Sequence, residues 1–237
     1  MILLRGHNLL FLKPRKVGGT SFEIALSKYA GSEDILTKLF PADETLRREL
    51  GYRSAQNHSF TKADGLADPT LVHAAKKDRK FFSHIPAALA KNRLGDVTWE
   101  SALKVSIIRN PFDKLVSEFC WTHREKKNFS REKFEKWMRN HPLALNKNDE
   151  QYLIRGEDII DYYIRYEHLE ADILQLEKLK PSLKGLYEAF SNLSAKAGVR
   201  PPSVSPAELF AEQPGLVEAV RFFNKSAIGR FGYELCE

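Results

Sequence analysis

A short apolar segment that leads directly into a glycine loop is the feature that most constrains this fold. Residues 9–12 form a continuous apolar run, which is the pattern of a strand buried on both faces of a sheet. Gly18 and Gly19 lie in the loop that follows, and apolar residues then recur at helical spacing over residues 22–29. A strand, a glycine loop and a helix in this order predict one unit of an α/β fold.

The same order recurs later in the chain. Residues 105–108 form a second short apolar run, and Pro111 follows where proline suits the first residue of a helix. We expect further strands at residues 80–86 and at residues 162–166. Strands that alternate with helices predict three layers, with a mostly parallel central sheet flanked by helices, and the C-terminal part is predicted to be helical.

Length and composition bound the class of protein. The chain has 237 residues, of which 43% are hydrophobic, enough for one substantial core, so we expect residues 1–237 to form a single domain. No apolar run approaches the roughly 20 residues that cross a bilayer, and only Cys120 and Cys236 could form a disulfide. These features predict a soluble, cytoplasmic protein with no membrane partner.

The charge pattern argues against a nucleic-acid partner. A formal net charge of +6 favours an anionic ligand near a cleft. The lysines and arginines are nevertheless mixed with acidic residues, as at residues 124–127 and 131–133, which is typical of a solvated helix surface. The polar segment 31–79 predicts either acceptor-binding loops or a surface insertion.

The loop after the first strand carries the first candidate chemistry. It precedes a helix, where backbone N–H groups and the helix dipole favour an anion such as phosphate or sulfate. Gly18 and Gly19 would let the backbone approach that anion. Thr20 and Ser21 would add hydroxyl donors, and Lys16 would add an ammonium. The lysine precedes the glycines, whereas it follows them in a Walker A loop. The alternative is an ordinary strand-to-helix turn.

Arg109 and Ser117 form the second candidate pair. Arg109 follows the predicted strand at residues 105–108, and Ser117 lies two helical turns further along. A guanidinium can hold a phosphate by two-point contact, and a hydroxyl on the adjacent helix can add a donor. The alternative is a strand-end arginine paired with a carboxylate, beside a helical serine with no binding role.

The two motifs together resemble those of sulfotransferases that use 3′-phosphoadenosine 5′-phosphosulfate (PAPS). Residues 16–21 look like the 5′-phosphosulfate-binding loop, in the Lys-x-x-x-Thr-Ser form of carbohydrate sulfotransferases related to heparan sulfate 2-O-sulfotransferases. Residues 109–117 look like the 3′-phosphate-binding segment of that superfamily. Three further stretches are similar to the family, and the five follow one another in the family's order: residues 81–86, 164–172 and 228–233.

This resemblance implies a P-loop-like fold and the transfer of a sulfuryl group from PAPS to an acceptor hydroxyl, with release of adenosine 3′,5′-bisphosphate (PAP). It implies that Lys16 contacts the bridging oxygen of the donor, and that Arg109 and Ser117 bind the 3′-phosphate. The 5′-phosphate would be held by the remaining loop residues, which are Gly18, Gly19, Thr20 and Ser21. It implies no metal, and an acceptor such as a carbohydrate or a small metabolite.

His84 is the predicted general base. The acceptor hydroxyl must lose a proton, and histidine is the side chain whose ordinary pKa suits that step near neutral pH. The strand predicted before His84 should end at the carboxyl edge of the sheet, beside the glycine loop. His58, His73 and His123 are less well placed.

Two other functions fit parts of the same pattern. A nucleotide kinase or other P-loop phosphotransferase shares the strand-loop-helix anion site, although the position of Lys16 departs from a Walker A loop. A module that binds the nucleotide without turnover is the second, and the presence of both Lys16 and His84 argues against it. A magnesium requirement would favour the first, and binding without turnover would favour the second.

Overall fold

The computed structural model describes residues 1–61, 79–125, 129–193 and 200–235, which belong to two compact units. The first unit comprises Met1–Ile107 and Glu150–Ala195, and the second comprises Ile108–Asp149 and Lys196–Glu237. The single domain expected over residues 1–237 stays a prediction. Within the described residues, no helix combines the length and the apolar character that crossing a bilayer requires.

The central sheet of the fold is mixed. The strands described are Ile2–Leu4 (β1), Leu9–Phe11 (β2), Ile35–Leu36 (β3), Leu103–Ile108 (β4), Leu153–Ile154 (β5), Glu157–Asp158 (β6) and Tyr162–Arg165 (β7). Five of them form the sheet in the order β3-β1-β2-β4-β7, and β5 pairs with β6. Strand β1 is antiparallel to both β2 and β3, whereas β2 is parallel to β4, with Phe11 opposite Val105.

Helices alternate with these strands along the described chain. Those described are Gly19–Ser27 (α1), Pro41–Glu49 (α2), Ala87–Leu94 (α3), Asp96–Ser101 (α4), Pro111–Thr122 (α5), Arg131–Asn140 (α6), Asp149–Tyr152 (α7), Leu169–Leu179 (α8), Leu186–Ser191 (α9), Pro206–Phe210 (α10), Pro214–Phe223 (α11) and Lys225–Phe231 (α12). Pro111 is the first residue of α5, as predicted, and the Asn110 side chain accepts a hydrogen bond of 3.0 Å from the N–H of Phe112.

Alternation along the first strands puts one helical layer on each face of the sheet. Ile2, Leu4, Leu9 and Phe11 pack into one core, with Phe22 of α1 and residues of α8 and α9, and the Phe11 and Phe22 rings meet edge to face at 4.9 Å. The intervening residues Met1, Leu3, Leu10 and Leu12 pack into a second core with Ala87, Ala90 and Trp99 of α3 and α4. An α/β fold whose central sheet is flanked by helices is therefore confirmed.

The second unit is helical and has its own aromatic core. Phe112 and Phe119 of α5 pack with Phe134 of α6 and Phe210 of α10, with ring centroids 5.1–5.3 Å apart in the Phe112–Phe210, Phe119–Phe134 and Phe134–Phe210 pairs. Aromatic side chains bury large areas and favour such edge-to-face contacts. Cys120 is buried in this core, and Cys236 lies outside the described residues.

Residues 80–86 form a turn, so the strand predicted there is wrong. The backbone of His84 has a φ of +60°, in the left-handed region that regular strands do not use. The N–H of Ile85 donates to the carbonyl of Phe82 at 3.3 Å, which closes the turn. Phe81 and Ile85 are both buried, so their apolar character reflects a turn anchored in the core.

The first strand and its hairpin were not anticipated. Strand β1 has three residues and is separated from β2 by the polar turn Arg5–His7 and by Asn8, whose φ is +46°. Such a short strand carries little alternation to recognise. Within the segment 31–79, residues 62–78 lie outside the described residues, and the rest contains β3 and α2.

Candidate functional site

The loop between β2 and α1 contains Lys16 and Gly18, and the first turn of α1 contains three more of the predicted site residues, Gly19, Thr20 and Ser21. Lys16 has a φ of +60° and Gly18 has a φ of +77°, so the chain turns twice through the left-handed region before α1 begins at Gly19. Gly18 is exposed, and Lys16 and Thr20 are half-buried. The predicted order of strand, glycine loop and helix is confirmed, and the loop ends at the positive end of the α1 dipole.

Gly19 has a packing role that the sequence did not indicate. It is buried, and a Cβ atom added to it would lie 3.0 Å from Cγ of Lys13. The aliphatic stem of Lys13 therefore crosses the chain where only glycine leaves room for it. Gly18 differs, because a Cβ atom there would meet only the Tyr166 ring, at 3.5 Å.

Lys13 and Glu23 form a buried ion pair directly behind this loop. The Lys13 Nζ lies 2.6 Å from Oε2 of Glu23, whose side chain is fully buried on α1. The second oxygen of Glu23 accepts a hydrogen bond from the amino group of Met1, which also contacts Thr37. Burial raises the pKa of Glu23, but the Lys13 ammonium and the Met1 amino group outweigh it and lower that pKa to about 2.

His84 lies against the same loop. Its Nδ1 is 3.0 Å from the carbonyl oxygen of Lys13, and the Gln151 side chain donates to the His84 carbonyl at 3.2 Å. Burial, followed by the charges of Lys13 and Arg15, lowers the pKa of His84 to about 3. The imidazole is therefore neutral near pH 7. The structure places His84 beside the glycine loop as predicted, although a turn rather than a strand brings it there.

Arg109 directly follows β4 and pairs with a carboxylate that lies in the same unit, the second. Its Nε and Nη2 lie 2.6 and 2.5 Å from Oδ2 of Asp113, one helical turn along on α5. The other oxygen of Asp113 accepts a hydrogen bond from Arg200, which also donates to the Val204 carbonyl at 2.6 Å. The carboxylate pairing that the sequence left open is present, and two guanidinium groups share one carboxylate.

Ser117 occupies the middle of α5, and the neighbouring side chains fix that helix in place. The buried Lys114 donates from Nζ to the carbonyls of Ala144 and Leu145, at 3.1 Å each. Burial lowers the pKa of Lys114 to about 8. Both predicted residues belong to the second unit. Arg109 lies just before α5, and Ser117 lies on that helix.

The other histidines lie in different settings. His58 is buried, and burial lowers its pKa. The Nδ1 of His123 is 3.0 Å from the carbonyl of Phe119, within one turn of the chain, and His73 lies outside the described residues. In the part of the chain that the structure describes, no three His, Cys, Asp or Glu side chains are grouped as metal ligands.

Four residues of this arrangement escaped the sequence analysis. Glu23 stands inside an apolar stretch, where an isolated charge signals a buried partner, and Lys13 directly follows the apolar run 9–12. Asp113 stands four residues after Arg109, a standard spacing for a helical ion pair. Arg200 is 87 residues away from Asp113 and has no local signal.

Comparison with known proteins gives one relative and no function. No protein-family model matches the chain, and no solved structure matches it. An uncharacterized protein of Archaeoglobus fulgidus is 31% identical over 97 residues, which cover 40% of this chain and 80% of that protein.

Proposed function

We propose that this chain, which belongs to the same family as the uncharacterized Archaeoglobus fulgidus protein, is a sulfotransferase that moves a sulfuryl group from PAPS to an acceptor hydroxyl. One observation carries the proposal. The imidazole of His84 lies against the left-handed loop that contains Lys16. The contact is made at Lys13, whose carbonyl oxygen lies 3.0 Å from Nδ1 of His84. A cation for the leaving group and a neutral base for the acceptor are thereby joined in one unit.

The loop would bind the phosphosulfate of the donor. Backbone N–H groups at the start of α1 and the hydroxyls of Thr20 and Ser21 are donors suited to phosphate oxygens. The Lys16 ammonium would neutralise the charge that develops on the bridging oxygen as the bond to sulfur breaks. The fold that we propose is P-loop-like in this sense, with the anion loop between a strand and the helix that follows it.

The transfer itself would be a direct displacement. The acceptor oxygen attacks sulfur, and the bond between sulfur and the bridging oxygen breaks. The electron pair stays on that oxygen, which leaves as the 5′-phosphate of PAP. The acceptor proton passes to Nε2 of His84. Because the protein does little covalent work in such a step, positioning and charge stabilisation carry the rate, as in phosphoryl transfer.

A bound donor would also improve the base. The His84 pKa of about 3 makes the imidazole neutral but weakly basic. Negative charge favours the protonated form of a nearby histidine, so phosphate and sulfuryl oxygens on the loop would raise that pKa toward the working pH. The base would thus gain strength when the donor is in place.

Arg109 and Ser117 would hold the 3′-phosphate, the group that distinguishes PAPS from ATP. Asp113 already fixes the guanidinium of Arg109 by two short contacts, so little side-chain freedom remains to be lost on binding. Two guanidiniums converge on Asp113, and a guanidinium can hold a phosphate by two-point contact.

Transfer of label from [³⁵S]PAPS tests this function. Wild type, incubated with a panel of saccharides, phenols and small alcohols, should release PAP and label an acceptor without magnesium. Lys16→Met should lower kcat by about 10²–10³-fold, and His84→Gln by about 10²–10⁴-fold. Lys28→Met, at the exposed C-terminal end of α1, is the matched control and should keep wild-type activity. Phosphoryl transfer from magnesium ATP, or PAP release that both site variants retain, would contradict the proposal.

A further inference from the structure

Lys13 connects the glycine loop with His84 although neither motif contains it. Its stem packs on Gly19, its ammonium is 2.6 Å from Glu23, and its carbonyl is 3.0 Å from Nδ1 of His84. Its side chain is almost fully buried, so it is not a surface donor for a ligand. Three separate contacts thus converge on one buried lysine.

We infer that Lys13, locked by Glu23, is a positioning residue for the proposed reaction: it holds His84 as a neutral imidazole with the proton on Nδ1 and the lone pair on Nε2. The meaning of this arrangement for catalysis rests on the proposed function. The arrangement itself is a property of the protein without any nucleotide.

The carbonyl of Lys13 fixes the tautomer of His84. A backbone carbonyl only accepts hydrogen bonds, so Nδ1 must be the ring nitrogen that carries the proton. The backbone of His84 is held independently, by its left-handed φ of +60° and by the Gln151 amide on its carbonyl. The lone pair of Nε2 is therefore available as the proton acceptor.

The charges that face His84 come from two elements. Lys13 and Arg15, on the loop after β2, both disfavour protonation of the ring, whereas Glu23, on α1, favours it. Burial acts in the same direction as the two cations and is the largest influence on the His84 pKa. Removing the charge of Lys13 takes away one opposing cation, while the Glu23 carboxylate, which keeps the Met1 amino group as a partner, still favours protonation of the ring. The His84 pKa should therefore rise.

Glu23 keeps this lysine in place. Its carboxylate is fully buried and binds the Lys13 ammonium through Oε2 and the Met1 amino group through Oε1. The ion pair fixes the direction of the Lys13 side chain, and Gly19 leaves the space that the stem needs. Arginine at position 13 would preserve the charge, and methionine would preserve the length of the side chain without it.

Histidine NMR tests the inference in the whole chain without nucleotide. Long-range ¹H–¹⁵N spectra of the imidazoles, recorded from pH 3 to 8, give the tautomer and pKa of His84, with His84→Gln to assign its signals. Wild type should show the Nδ1–H tautomer and no protonation above pH 5. In Lys13→Met the pKa of His84 should rise by about one unit or more. Lys13→Arg should restore the wild-type value, and Lys28→Met should not change it.

A double variant separates this effect from misfolding. The double variant Lys13→Met with Glu23→Gln removes both buried charges and keeps similar side-chain volumes, so it should fold. Lys13 acts on His84 more strongly than Glu23 does, so the His84 pKa should still rise in this variant. The rise should be smaller than in Lys13→Met alone, because the carboxylate that favours protonation is also gone. An Nε2–H tautomer in wild type, or an unchanged His84 pKa in folded Lys13→Met, would overturn the inference. If the tautomer and pKa follow the expectation but PAP does not bind, the positioning stands and the proposed sulfotransferase function fails.

If transfer is active, the acid limb of the pH profile of kcat should move to higher pH in Lys13→Met, together with the pKa of His84.

Discussion

Two ion pairs, one in each unit, differ in burial and therefore in what they can do. Lys13 and Glu23 are shut inside the first unit, with the carboxylate fully buried. Arg109 and Asp113 in the second unit keep 10% and 23% of their side chains exposed, and Arg200 shares the same carboxylate. A carboxylate that is buried with its partners holds structure, whereas a partly exposed cluster that contains two guanidiniums can receive an anion.

The largest expected effect is on the free energy of unfolding, which should differ between variants of the two ion pairs. Glu23→Ala leaves the Lys13 ammonium buried without its partner and should lower the free energy of unfolding by about 3–5 kcal/mol. Asp113→Ala leaves Arg109 and Arg200 near solvent and should cost about 1 kcal/mol. Urea unfolding of both variants measures the difference. Equal losses would show that the contrast in burial has no energetic meaning.

Acid should weaken the first unit in two separable steps. The folded pKa of His84, about 3, lies below its ordinary 6.5, so stability is lost as pH falls from about 6.5 toward 3. The folded pKa of Glu23, about 2, lies below its ordinary 4.5, so its contribution is lost only as pH falls from about 4.5 toward 2. His84→Gln should flatten the stability profile between pH 6.5 and 4.5.

The control for the acid profile is Glu23→Gln, which should leave the slope between pH 6.5 and 4.5 as in wild type. Thermal melting at half-unit intervals of pH provides the comparison. A wild-type slope in His84→Gln over that window would mean that His84 titrates normally in the folded protein.

A smaller effect tests the packing of Lys13 on the glycine loop. In Gly19→Ala, the added Cβ would lie 3.0 Å from Cγ of Lys13, so the Lys13 side chain and its ion pair with Glu23 must shift. The free energy of unfolding should fall by about 1–3 kcal/mol. Gly215→Ala, on α11, meets no atom within 4 Å and should stabilise the protein by up to about 1 kcal/mol. Chemical unfolding of the two variants should give opposite signs. If Gly19→Ala left the free energy of unfolding unchanged, the contact with Lys13 would not explain why position 19 is a glycine.

The sequence predicted the units that local patterns encode. The apolar runs 9–12 and 105–108 fall on strands β2 and β4, and Pro111 begins a helix, because burial on both faces and a proline at the first helical position leave clear local signals. The turn around His84 was misread as a strand, since buried residues of a turn and of a short strand look alike in four or five letters.

What the sequence missed at the site depends on contacts between distant residues. The hydrogen bond between His84 and the Lys13 carbonyl joins positions 71 residues apart. The contact between Arg200 and Asp113 spans 87 residues. Such partners are set by tertiary packing, and no periodicity within one segment encodes them. The residue types of the proposed site were predictable, whereas the lysine that positions its base was not.

Calorimetric titration with PAP, beside AMP and magnesium ATP, shows which nucleotide this chain binds. We expect PAP to bind at least about tenfold more tightly than AMP, and Arg109→Ala to weaken PAP binding by about 10–100-fold. Arg139→Ala, which removes an exposed arginine that pairs with Glu135 one helical turn earlier, should bind PAP as wild type does. Absence of PAP binding, or a preference for magnesium ATP, would contradict the claim that this chain uses PAPS.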